Sequence, residues 1–184
     1  MAKEAAKRAY KTSGTLGEEM EVMTTIVLCT IVAEAAVNEI GEWFEFHRSG
    51  PELRMPHGLP YNFNDLEVRT KWSLLPLIIR QRTFERGAEP WQSFDALVDL
   101  RNYFVHLRRR AAPKKFQGLL DAKFDGEFKC EVAEWACQTI AAMFDKLTEL
   151  IDPPALWIGL NWIWTPRHSF PFGLSTPGDS WPKP

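Results

Sequence analysis

From Gly17 to Phe46 the chain carries no proline and is dominated by Ile, Val, Leu and Ala. A helix is the regular structure that takes up so long a segment. Its longest apolar run, Val22 to Ala33, is interrupted by threonines and ends at Glu34. That is shorter than the roughly 20 apolar residues a bilayer span requires, so a buried helix is expected and no membrane contact. Glu34, Asn38 and Glu45 are spaced four and seven residues apart. They therefore form a polar row along one helix face. The segment closes in "HRSGPELRMPHGLP", where Gly50, Pro51, Pro56, Gly58 and Pro60 forbid continuation.

Three more segments show helical periodicity. One starts at Asn64 or Asp65, either of which makes a good N-cap, and continues to about Phe84, with a kink expected at Pro76. Another, introduced by "GAEPWQSFD", covers about Trp91 to Arg110 and stops before Pro113. The last runs from about Gly126 to Ile151 and is ended by Asp152, Pro153 and Pro154. Trp72, Trp91 and Trp135 lie among apolar neighbours and are expected in the core. The prediction is an all-α bundle over residues 1–152. Residues 153–184 differ: they hold four of the eight tryptophans and more than half of the thirteen prolines. They read as an extended arm that lays its aromatics on the bundle or on a second subunit, or as a docking tail for a partner.

At 184 residues the chain suits one domain with an appendage. A net charge of −2 excludes indiscriminate nucleic-acid binding by the whole surface, so any such contact must be a local patch. Cys29, Cys130 and Cys137 form no metal-ligand spacing and read as free thiols of a reducing cytoplasm. The charged N-terminus "MAKEAAKRAYKTSG" lacks the apolar centre of a signal peptide. His47, His57 and His168 stand without partners at ligand spacing, and no glycine-rich phosphate loop occurs, so neither a metal nor a cofactor is expected. Glu131 and Glu134 read as surface.

The chemistry concentrates in "DLRNYFVHLRRR", Asp99 to Arg110. At about 100° per residue, Phe94, Leu97, Val98, Phe104 and Val105 form the core side. Asp95, Asp99, Asn102, His106 and Arg109 form a narrow polar stripe with steps of four, three, four and three. Arg101 points between Val98 and Val105, inside the apolar sector. A guanidinium stays charged, so it needs acceptors, and Glu34 and Asn38 of the first helix are the natural ones. His106 follows Asn102 by one turn. Arg108, Arg109, Arg110, Lys114 and Lys115 then make a cationic flank suited either to phosphate oxygens or simply to a solvated helix end.

A proton carrier, a fixed cation and an amide together suit attack of a ribose 2′-hydroxyl on its own phosphodiester. Histidine moves protons near neutrality, arginine stabilises the charged phosphoryl transition state, and RNA supplies the nucleophile.

"LVDLRNYFVHLR" resembles the signature of the higher-eukaryote and prokaryote nucleotide-binding (HEPN) superfamily: an arginine, a polar residue and a histidine, here Arg101, Asn102 and His106. "AEAAVNEI" is similar to the acidic, Asn-containing first helix of that group. "KWSLLPLI" followed by "PWQSFDALVDLRN" resembles its middle helices. The resemblance covers roughly residues 17–150. It implies a HEPN-like bundle of four to five helices that forms a homodimer, with both Arg–His elements facing one cleft. It also implies a metal-independent endoribonuclease of a toxin–antitoxin or antiviral system, with an antitoxin or regulatory protein as a further partner. Other members are non-catalytic dimerisation modules that bind a nucleotide or a protein. In the catalytic reading His106 is the general acid/base, Arg101 the phosphate clamp and Asn102 a positioning residue. Glu34, Asn38 and Asp99 support them, and the basic flank steers RNA.

Overall fold

The computed structural model describes residues 1–47, 63–105 and 128–151, with residues 42–47 and Asn64 as backbone only. The described residues form five α-helices and no strand: α1 (Ala2–Lys11), α2 (Leu16–His47), α3 (Val68–Arg80), α4 (Trp91–Val105) and α5 (Cys130–Ile151). A short 3₁₀ turn, Phe63–Asp65, precedes α3. The all-α class is as expected. The basic flank and the C-terminal arm lie outside the described residues.

α1 was not among the expected helices, although its buried face, Ala2, Ala5, Ala6 and Ala9, stands at the helical spacing i, i+3, i+4 and i+7; alanine is too small to mark a core side by size. Small side chains let it lie close against α2 and α5. Polar contacts fix its far end, where Tyr10 donates to Glu134 Oε2 at 2.7 Å and Arg8 pairs with Glu21 at 2.8 Å. Glu134 also accepts from Gln138 and is half-buried, not the plain surface carboxylate expected, whereas Glu131 is exposed as expected and accepts from the Cys130 thiol.

Gly14 turns the chain from α1 into α2 with a left-handed φ of 78°, a conformation glycine adopts without steric cost. Its N–H donates to Glu18 Oε2 at 2.6 Å, while Glu18 Oε1 accepts the N–H of Cys130 at 2.8 Å. One buried carboxylate thus ties the α1–α2 turn to the first residue of α5. Burial pushes the Glu18 pKa up, but the hydrogen bonds from Gly14 and Cys130 outweigh it and hold the group below its ordinary range. This contact also explains why α5 begins at Cys130 rather than near Gly126, since Phe128 and Lys129 precede the helix. A tertiary acceptor fixes the boundary, which local propensity does not.

The stretch Leu16–Gly41 of α2 is longer than the Val22–Ala33 run and, by length and composition, could cross a membrane; half of it is buried within the fold. Its inner row, Val22, Ile26, Cys29, Ala33, Val37 and Ile40, enters the core. There Cys29 Sγ lies 3.8 Å from Cys137 Sγ of α5. All three cysteines are buried free thiols. The contact with Cys137 and burial push Cys29 up, and burial with the neighbouring Glu131 and Glu18 pushes Cys130 up to about 12. Both are therefore protonated at neutral pH.

Gly41 is the point where the chain after α2 returns. A Cβ there would stand 2.7 Å from the Phe63 ring. Glycine inside a helix costs about 0.5–1 kcal/mol relative to alanine, so Gly41→Ala would stabilise an isolated helix. In this fold it should instead destabilise by about 1–2 kcal/mol, because the buried Phe63 ring must move. Denaturant midpoints of the two proteins check the sign.

α3 begins after Glu67, later than Asn64 or Asp65, and ends at Arg80 rather than Phe84. Gln81 adopts a left-handed φ of 56° and turns the chain, its N–H donating to Leu77 O at 2.9 Å. Pro76 is accommodated within the helix. Phe84 is nonetheless buried, because its ring meets Trp72 at 6.0 Å and Trp91 at 5.5 Å. Trp72 is the aromatic centre of the core, with Phe94 at 5.6 Å and Phe144 at 5.3 Å. Trp91 is buried as expected, and Trp135 is half-buried.

Candidate functional site

α4 carries the residues singled out above, and both its ends are anchored. At its start Glu89 accepts the N–H and the hydroxyl of Ser93 at 3.2 and 2.9 Å, a capping arrangement that satisfies an orphan helix donor. Trp135 of α5 donates to the same Ser93 hydroxyl at 3.3 Å. At the other end the Phe104 ring meets Phe128 at 5.2 Å. Helix α4 therefore runs opposite to α5, and its last turn lies beside the start of α5.

Arg101 and Asn102 sit in that last turn, both half-buried. Arg101 Nη1 donates to Asn102 Oδ1 at 3.0 Å. The structure thus brings a fixed cation and an amide together, two of the three residues placed at the centre of the sequence reading. His106 follows directly and lies outside the described residues, as do Arg108, Arg109, Arg110, Lys114 and Lys115.

The expected cradle for Arg101 is not what forms. Glu34 meets Lys71 of α3, with Nζ 3.4 Å from Oε1. The physical reason is burial: Lys71 is 1 % exposed and has no other route to an acceptor, whereas Arg101 keeps partial access to solvent. Asn38 does not bond Arg101 either; its Oδ1 is buried without a hydrogen-bond partner.

Asp99 also has a different companion. Arg69 of α3 donates from Nη2 to Asp99 Oδ1 at 2.5 Å and to the Asp95 backbone carbonyl at 2.8 Å. Its Nε stands 2.6 Å from Asp95 Oδ1, an ionic approach rather than a directed hydrogen bond. Nη1 reaches Glu67 at 3.0 Å. Partial burial opposes the charge on Arg69, but the bonds to Asp99 and Glu67 and the nearby Asp95 more than offset it and hold its proton tighter than usual. The polar stripe of α4 is therefore clamped to α3 through its first two members.

Sequence reasoning missed Arg69 and Lys71, though a signal for each existed. Asp95 and Asp99, one turn apart on a half-buried stripe, call for a cation from a neighbouring helix. Lys71 stands four residues before Leu75 and next to Trp72, on the buried side of its own helix. No group of three or more His, Cys, Asp or Glu side chains able to hold a metal occurs among the described residues. Comparisons of the chain with models of protein families, with curated proteins and with solved structures found no match.

Proposed function

We propose that the chain is a metal-independent endoribonuclease of the HEPN type, an effector of the toxin, phage-defence or stress-response kind that acts as a homodimer in the cytoplasm. The observation that carries this reading is the Arg101–Asn102 hydrogen bond in the last turn of α4, immediately before His106 in the chain. In this mechanism His106 takes the proton of a ribose 2′-hydroxyl as that oxygen attacks the adjacent phosphorus. Arg101 opposes the negative charge that grows on the phosphoryl oxygens, and Asn102 orients the guanidinium. The bond from phosphorus to the 5′-oxygen breaks and that oxygen takes the proton His106 has gained, giving a 2′,3′-cyclic phosphate and a 5′-hydroxyl. RNA is the substrate because it brings its own nucleophile. Arg108, Arg109, Arg110, Lys114 and Lys115 steer its phosphates, and Arg69 holds the stripe in place through Asp95 and Asp99.

Purified protein should cleave single-stranded RNA in EDTA and leave 2′,3′-cyclic phosphate ends. His106→Ala should lose at least about a hundredfold in rate, the usual contribution of a general acid/base. RNA that stays intact across structured and unstructured substrates counts against the reading. A second reading, a non-catalytic module binding a nucleotide or a protein, draws on the same geometry. Asn102 Oδ1 and Asp99 are already engaged by Arg101 and Arg69 within the chain. Normal biological function in His106→Ala favours that module.

A further inference from the structure

We infer that Cys29 of α2 and Cys137 of α5 are a peroxide-responsive pair that closes into a disulfide, stapling the two helices together through the core. The inference goes beyond the nuclease reading and stands without it. The two sulfurs lie 3.8 Å apart, within hydrogen-bond distance for thiols, although 108 positions separate them in the chain. Both side chains are fully enclosed, so tertiary packing holds them against each other. Their surroundings are small: Ala33 one turn along α2, and Ala133 and Ala136 just before Cys137 on α5, are enclosed as well. Small residues let two helix backbones approach closely. A disulfide needs that approach, since it spans Cα atoms no more than about 7 Å apart. The sulfurs themselves must close by roughly 2 Å to reach bonding distance.

The third cysteine does not compete. Cys130 stands two turns before Cys137 on the same helix, roughly 10 Å along the axis and beyond disulfide reach. Its N–H is held by Glu18, three turns before Cys29 on α2, and its thiol donates to Glu131. The reaction needs only hydrogen peroxide, an uncharged molecule little larger than water. One thiol gives up its proton and its sulfur attacks a peroxide oxygen. The O–O bond breaks, and the departing hydroxide takes the proton and leaves as water. The other sulfur then attacks the sulfenic acid so formed; the S–S bond forms, the S–O bond breaks and a second water leaves. Two thiols are oxidised and one peroxide is reduced. Burial slows the first step, because an enclosed thiol is a poor nucleophile until α2 and α5 part slightly. The finished bond closes a loop that contains all of α3 and α4, and it stabilises the fold by limiting the unfolded chain. In a reducing compartment such a bond is transient and redox-responsive.

Treating the native full chain with hydrogen peroxide tests this. The wild-type chain should lose two of its three free thiols and two hydrogens of intact mass, and digestion should yield a Cys29–Cys137 cross-linked peptide. Dithiothreitol should restore all three thiols. The oxidised chain should unfold at a higher denaturant concentration than the reduced one. Cys130→Ala should form the same cross-link and show the same rise, whereas Cys29→Ala and Cys137→Ala should show neither. Three thiols that survive peroxide overturn the proposal, as does oxidation to sulfinic acid without a cross-link. A disulfide that includes Cys130, or that joins two chains, overturns it too. A Cys29–Cys137 bond that leaves the denaturant midpoint unchanged or lowers it rejects the stapling role.

Discussion

Glu34→Ala should destabilise the fold by about 3–5 kcal/mol, the cost of leaving a buried charge without its partner. Removing the other half of the same ion pair, by Lys71→Met, should be close to neutral. The asymmetry follows from burial. Lys71 is 1 % exposed, so without Glu34 its ammonium has neither a counter-ion nor water. The Glu34 side chain is 44 % exposed and can be hydrated once the lysine is gone. Methionine fills nearly the same volume with a flexible apolar chain, so the packing beside Trp72 is kept. Chemical denaturation of the two single variants and the double variant checks this. Equal losses in both singles would show that the pair acts as an exposed surface bridge, which the burial of Lys71 contradicts.

Glu18→Ala should cost about 2 kcal/mol, because it strands the buried N–H of Cys130 and removes the acceptor of the Gly14 N–H at a joint between three helices. Glu18→Gln keeps one good acceptor but loses the charge that strengthens both bonds, so a smaller loss is expected. The folded-state pKa of Glu18 is depressed below its ordinary value of 4.5. A group of this kind adds stability that is fully present above its unfolded pKa and is lost as the pH falls through the lower folded pKa. The wild-type chain should therefore lose stability below about pH 4.5, with an acid limb shallower in Glu18→Gln. Identical acid limbs in the two proteins would remove Glu18 from the account.

Much of the helical order was legible because it depends on local spacing. The α2 segment announces itself as a long proline-free apolar run, and its structural bounds, Leu16–His47, nearly coincide with Gly17–Phe46. α4 starts at Trp91 as expected, since "GAEP" breaks the chain just before it. What escaped depends on partners distant in sequence. Residues 81–84 contain no proline or glycine to end the helix, yet Gln81 turns away so that Phe84 can reach Trp72 from outside it. α5 starts where Glu18 accepts its first N–H, more than a hundred residues away in the chain.

At the candidate site the sequence identified the right helix and misassigned the companions. Arg101 on α4 and the Glu34–Asn38 row on α2 both place polar groups in apolar segments, and spacing alone pairs them. The periodicity of one helix states which residues share a face, but not which neighbouring helix that face meets. α3 supplies both cations, Arg69 for the α4 stripe and Lys71 for Glu34. The Arg101–Asn102 contact was accessible because adjacent residues at a helix end need no long-range information.

The seam between α1 and the bundle carries a consequence for how this molecule responds to mutational scanning. Its face is Ala2, Ala5, Ala6 and Ala9, each almost wholly enclosed. Replacement by alanine, the customary probe of a packed surface, leaves such a seam unchanged and would score it as silent. Adding bulk is the informative perturbation: Ala6→Val puts two extra methyl groups into a fully enclosed position and forces the two rods apart. Tolerance there is set by steric clearance, so the seam works as a ruler of bulk and is blind to polarity.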